Sequence, residues 1–271
     1  MKDNRALLVY FEADIEKNKW FINRLTESAA ERGIRLDLVT PWEAYDETEA
    51  AFVINRSRDE ELSRYFEGLG IKSFNNSETV RIGNDKLEEY DLFQELGMPV
   101  METVLGNTPE DEIPFAAPYI VKHRRGHGGN RVFKARKYDE VREIIRGLNP
   151  SEWIIQKMCD TPGQDMRIYL LGGKVVASVL RTSKTDFRSN FSLGGEAVLA
   201  DPPEEVVKMA LKLSDYLLAD YIAVDVIRDH GMWIVNEIED AAGARMLYSL
   251  TDLDIAEMYM SHICEKSSQK L

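Results

Sequence analysis

Cysteine is scarce in this chain of 271 residues: there are two, Cys159 and Cys264. They lie too far apart in sequence for a disulfide framework or a close metal-ligand pair. A reducing cytoplasm is the expected setting. Long apolar runs are also missing. No stretch approaches the ~20 residues that a membrane-crossing helix needs, and no charged-then-apolar leader is recognisable. Positive charge is in deficit, with 34 Lys and Arg against 47 Asp and Glu and a net charge of −13. That balance argues against nucleic acid as a partner. A polyanion could be held only by a local basic pocket or a metal. There is no internal repeat and no low-complexity tract. No glycine fingerprint follows the first strand, so a dinucleotide site is not expected.

What is present is a globular composition, 44% hydrophobic, at a length that suggests two compact units. The N-terminal third alternates strand and helix. RALLVYF (5–11) is an apolar strand, and 16–32 carries Phe21, Ile22, Leu25 and Ala29 at helical spacing before Gly33. Strands follow at 34–39, 51–54 and 71–74, with a helix at 59–69. The order predicts a small open α/β sheet. The segment 75–83 reads as a boundary with Ser77 as a helix cap. The helix at 84–96 carries Lys86 in its first turn, where acids are favoured. A bound anion would account for it; an ordinary surface lysine is the plainer reading.

Further on, PYIVK ends in Lys122 and runs into His123-Arg-Arg-Gly-His-Gly-Gly-Asn130, then a strand at 131–134. Glycines 126, 128 and 129 would let backbone N–H groups approach a phosphate, although plain turns are commoner. His123 and His127 read as polar loop residues. A helix is expected at 138–148 and strands at 153–158, 164–171 and 174–181, with Asp165 and Arg167 on one face and Gly172-Gly173 as a tight turn. The polar loop 182–195 contains Arg188 and Asn190. Helices at 202–218 and 252–264 flank the stretch IAVDVIRDHGMWIVNEIEDAAG (222–243). That stretch reads as strand, turn and strand with acids inside apolar runs. Glu237 and Glu239 share a face, and Asp225 lies beside them if the strands pair. Clustered carboxylates suit Mg²⁺; a solvated hairpin face is the alternative.

These signals fall in one order: lysine at a helix start, lysine before a glycine-rich loop, Gln156-Lys157, Asp165-x-Arg167, Asp-Phe-Arg-Ser-Asn with Gly-Gly, then Asp225 and Glu237-x-Glu239. The succession resembles the ATP-grasp superfamily, and within it the RimK-type ligases that join an amino acid to a carboxyl group. The likeness runs along roughly the whole chain, most closely from residue 84. It implies an ATP-grasp fold (α/β, with α+β subdomains): an open α/β domain at 1–83, then 84–271 divided into a lid subdomain (84–155) and a metal-binding subdomain (156–271). It implies ATP phosphates near Lys86 and Lys122 under a lid formed by Gly126, Gly128 and Gly129. Gln156, Lys157 and Met158 would face adenine, and Asp165 the ribose or hinge. Arg188 and Asn190 would hold the transferred phosphate, with Lys122 assisting. Asp225, Glu237 and Glu239 would bind two Mg²⁺ ions, or Mn²⁺.

Two departures stand out. The family's Glu-x-Asn is Glu237-x-Glu239 here, and its small-Pro-Gly loop is Asp240-Ala-Ala-Gly243 followed by Arg245. That loop borders the acceptor site in the family, so glutamate need not be the added amino acid. Lys157 also replaces an acid common at the hinge. The function implied is an ATP-dependent carboxylate–amine ligase acting through an acyl phosphate. Arg167, Arg181 and Arg245 are candidate grips for substrate carboxylates, strand-face salt bridges being the alternative for the first two. A phosphotransferase acting on a hydroxyl, or a catalytically impaired nucleotide-binding scaffold, would carry many of the same motifs. The partners implied are a small-molecule or peptide carboxylate, an amine and a possible second copy of the chain.

Overall fold

This computed structural model describes residues 4–189 and 195–268. The first unit contains β1 (Arg5–Val9), α1 (Glu12–Glu31), β2 (Arg35–Val39), α2 (Pro41–Ala44), β3 (Val53–Asn55), α3 (Glu60–Gly68) and β4 (Ser73–Phe74). Its strands are parallel in the order β2-β1-β3-β4. β1 is covered on both faces, which is why it reads as an unbroken apolar run. α1 buries Phe21, Ile22, Leu25 and Ala29, the stripe expected from spacing. The chain leaves it through Gly33 at φ 70°, left-handed backbone that suits glycine.

α4 (Ser77–Ile82) and α5 (Lys86–Glu95) lead to a second sheet. It contains β5 (Thr103–Leu105), β6 (Tyr119–His123), β7 (Val132–Ala135) and β8 (Trp153–Lys157), with α6 (Tyr138–Ile144) between the last two. Its order is β5-β8-β6-β7, antiparallel throughout. The third sheet has the order β11-β10-β9-β12-β13. It is built from β9 (Gln164–Leu171), β10 (Lys174–Thr182), β11 (Glu196–Leu199), β12 (Tyr221–Asp229) and β13 (Met232–Glu239), joined by α7 (Glu204–Leu217) and followed by α8 (Arg245–Leu250) and α9 (Ile255–Ser268). His230 and Gly231, at φ 48° and 82°, make the tight turn between β12 and β13.

One core joins the first and third sheets. Leu8 and Leu25 pack in the same cluster as Tyr169, Tyr221, Tyr259 and Ile263. α5 and α7 cover the other face of the third sheet. The second sheet has a smaller core of its own around Val121, Val141 and Ile155.

The helix cap expected at Ser77 is instead Asn76, whose Oδ1 accepts from Thr79 N at 2.8 Å; Ser77 is the first helical residue. The division expected between 155 and 156 falls inside β8. Gln156 pairs with Thr103 and Ile120, so β8 stays wholly with the second sheet. The short elements α2, β5, β11 and α8 have too little periodicity to read in sequence.

Candidate active site

The ladder between β12 and β13 sets Asp225 opposite Glu237 and Ala223 opposite Glu239, with a bulge between Asp225 and Val226. Side chains two apart share a face, so the three acids converge. One oxygen from each of Asp225, Glu237 and Glu239 lies within 4.8 Å of the other two. On the other side of β12, Arg167 of β9 is the cross-strand partner of Asp225. Its Nε and Nη2 donate to the two Asp225 oxygens at 2.7 Å, and Nη2 also donates to Glu239 at 2.9 Å. Arg181 of β10, opposite Asp165, donates twice to Asp165 and once to Asp225, all at 2.6 Å. Burial alone would raise the Asp225 carboxyl, but Arg167 and Arg181 outweigh it and hold the group down at about 2.

Between the second and third sheets runs a cleft of about 820 Å³, its open mouth included. Lys86 lines it and is half-buried rather than a free surface residue, its side chain 10% exposed. Its Nζ donates to Gly126 O at 2.7 Å and to Glu237 Oε1 at 2.8 Å. Burial pulls its ammonium down, yet Glu237 and Glu89 push it up to about 12. Lys122 Nζ donates to Asn236 Oδ1 at 3.2 Å, and burial lowers its pKa. Gln156, Lys157 and Met158 line the same cleft. Within this strip Lys157 N donates to Glu102 O at 2.9 Å, Met158 N to Pro118 O at 3.2 Å, and Gln156 Nε2 to Thr103 Oγ1 at 3.0 Å.

Arg188 lines the opposite wall. Its Nε and Nη2 donate to Asp186 at 3.0 and 2.7 Å, and Nη1 donates to Gly129 O at 3.0 Å. Gly126 and Gly129 face the cleft, while Gly128 is not among the lining residues. Asp165 is in the cleft wall, but its oxygens are taken by Arg181 and Ser189. Arg181 lines the cleft and Arg167 does not; the salt-bridge alternative describes the contacts that both make. Arg245 is exposed at the start of α8 and away from the lining. Asn190 lies outside the described residues.

Residues 83–263 match the model of the RimK-like ATP-grasp domain. The chain belongs to the RimK-like ATP-grasp family. It is 31% identical to an uncharacterised protein of Mycoplasma genitalium, over 98% of this chain and 94% of that one. It is 29% identical to a protein of Stenotrophomonas maltophilia named as a probable alpha-L-glutamate ligase, over 74% of this chain and 72% of that one. Among solved structures, D-alanine–D-alanine ligase from Bacillus anthracis complexed with ATP superposes with a TM-score of 0.77 at 16% identity, covering 98% and 97% of the two chains. That likeness is one of fold. The architecture is the ATP-grasp fold, with the open parallel sheet at the N-terminus, and membership makes the protein an ATP-dependent ligase in general terms. None of the described helices is long and apolar enough to cross a membrane.

ATP-grasp ligases use divalent metal ions in general, and the donor set here fits a hard cation: three carboxylates and no nitrogen or sulfur. Glu237 and Glu239 each accept a hydrogen bond on one oxygen only, among the described residues. Asp225 is more fully engaged by the arginines behind it. Three residues of this ATP-grasp site were given no role by the sequence reading. Asn236, beside the β12–β13 bulge, turns toward Lys122; its only signal was a polar residue in an apolar strand. Glu89 on α5 is buried and accepts from Ile238 N at 2.6 Å, fixing the strand between the two glutamates. Asp186 aligns Arg188.

Proposed function

We propose that this enzyme joins a carboxylate to an amine through an acyl phosphate, releasing ADP and phosphate. The observation that carries the reading is the meeting of Asp225, Glu237 and Glu239 within 4.8 Å beside a cleft that also presents Lys86, Lys122 and Arg188. A carboxylate is a poor electrophile at neutral pH. Phosphorylation gives it a leaving group that an amine can displace. Such transfer needs positioning and charge neutralisation more than covalent help from the protein.

In this reading Gln156, Lys157 and Met158 lie along adenine, and Lys86 and Lys122 meet the phosphates from the side of the second sheet. Glu237 and Glu239, with Asp225 behind them, would hold two Mg²⁺ or Mn²⁺ ions, which supply charge neutralisation at phosphate oxygens when bound. Arg188, held in orientation by Asp186, offers a bidentate fork to the transferred phosphate; the resemblance gives Asn190 the same task. Arg167 and Arg181 act by holding the acids in place. Gly126 O is tied to Lys86 and Gly129 O to Arg188. The lid is thus anchored at both ends of its loop, which would keep water from an acyl phosphate.

The relatives' name makes glutamate the first amine to try, while Asp240-Ala-Ala-Gly243 and Arg245 argue for trying other amino acids beside it. The test is amine-dependent ADP release across a panel of carboxylates. Glu237→Gln is expected to lower turnover about a hundredfold or more. Full turnover in that variant would remove the metal assignment. Phosphorylation of a hydroxyl without any amine would instead make the protein a phosphotransferase. ATP binding with no turnover on any substrate would make it a scaffold.

A further inference from the structure

β13 stands at the edge of the third sheet, with β12 as its one strand neighbour among the described residues. Buried backbone groups on the open flank of such a strand must find other partners. Midway along the strand, Val100 bridges to Val235. From Ile238 onward the partners are side chains. Glu89 accepts from Ile238 N at 2.6 Å. Asn75 Nδ2 donates to Asp240 O at 2.8 Å, and Arg56 Nη2 donates to Ala241 O and Ala242 O at 3.0 and 2.8 Å. Tyr169 Oη donates to Gly243 O at 3.2 Å. Four consecutive carbonyls after Glu239 are thus held in place.

Two of these partners belong to the first unit: Arg56 directly follows β3 and Asn75 directly follows β4. Asn75 is buried and uses its whole hydrogen-bonding capacity. Besides Asp240 O, its Nδ2 donates to Tyr221 O at 2.8 Å, and its Oδ1 accepts from Asp220 N and Tyr221 N at 2.8 and 2.9 Å. It therefore ties the start of β12 to the residue after β13. Arg56 is buried too, and among the described residues it donates only to neutral oxygens, Tyr10 Oη at 2.7 Å being the third. Burying a guanidinium without a counter-ion is costly. An apolar side chain could fill the same space at lower cost. What arginine adds is direction, because its planar fork fixes where the two carbonyls lie.

We infer that Arg56 and Asn75 are positioning residues for Glu239, so that the first sheet sets where this carboxylate meets the metal. The inference rests on the metal assignment of the ligase reading above. Neither side chain donates to the three acids; each acts on backbone one to three residues beyond Glu239. Groups that orient metal ligands in this way typically contribute about 10–100-fold to metal affinity.

The experiment titrates Mn²⁺ into the full chain, reads the free ion by electron paramagnetic resonance and follows thermal unfolding of the same samples. Glu237→Gln defines the background binding. Arg56→Met is expected to weaken Mn²⁺ binding at the site about tenfold or more. Arg56→Lys, which keeps the charge but not the fork, should fall between that variant and the unsubstituted chain. Ile263→Ala truncates an apolar side chain of the core shared by the first and third sheets; it should lose stability and keep its Mn²⁺ affinity. Unchanged affinity in Arg56→Met would overturn the inference, as would an equal loss of affinity in Ile263→Ala. Should Arg56→Met not fold, unchanged affinity in Arg56→Lys would overturn it instead. If Glu237→Gln binds Mn²⁺ as well as the unsubstituted chain does, the metal assignment falls and this inference falls with it. If Glu237→Gln weakens binding and the Arg56 variants do not, this inference alone is removed.

Discussion

Asp225 accepts three charge-assisted hydrogen bonds from Arg167 and Arg181 inside the third sheet. Removing one partner of a buried pair leaves the other charge uncompensated, which costs about 3–5 kcal/mol. Arg167→Met is therefore expected to lower stability by that order in urea denaturation, with turnover falling too. Retained stability would mean that the network contributes little. The acids themselves were legible in sequence, because carboxylates inside apolar strands stand out. Their counter-charges were not. Arg167 and Arg181 read equally well as substrate grips, and only the register of β9 against β10 and β12 puts them beside Asp165 and Asp225.

Between β6 and β7 the glycine-rich loop carries His127, whose imidazole is held down at about 4 by burial, Arg58 and Lys86. The sign follows from linkage: the unfolded side chain, near pH 6.5, binds a proton that the docked loop disfavours. Docking is thus fully favourable above about pH 6.5 and weakens as pH falls toward 4. Hydrogen exchange of residues 124–131 is expected to quicken over that window, and His127→Asn should flatten the response. The turn between β8 and β9 behaves differently. Gly163 sits at φ 79°, where an added Cβ would lie 2.7 Å from Asp186 O. Gly163→Ala should cost about 1–2 kcal/mol for the left-handed backbone alone and, by pushing on Asp186, loosen the alignment of Arg188. A rise in KM for ATP would register that; an unchanged KM would count against Asp186 as the aligning residue. The glycine-rich loop was recognisable from composition. The role of Gly163 was not, because it depends on the backbone of Asp186, which arrives much later in the chain.

Across the molecule, α9 packs into the core shared by the first and third sheets. Arg24 of α1 and Arg32 directly after it pair with Asp254 and Glu257 at its N-terminal end. Truncating a buried isoleucine there, Ile263→Ala, is expected to cost about 2–5 kcal/mol. Circular dichroism and tyrosine fluorescence should lose the first and third sheets in one transition. Two separated transitions would show that the N-terminal sheet stands on a core of its own. The order of strands, helices, glycine loops and embedded acids was determined by the sequence alone, because periodicity and turn chemistry are local. The pairing of β12 with both β9 and β13, the burial of Lys86 between Gly126 and Glu237, and the joining of α9 to the first sheet were decided only by the tertiary structure. Each brings together residues far apart in the chain, and no local pattern encodes which of several compatible partners a charged or apolar face will meet.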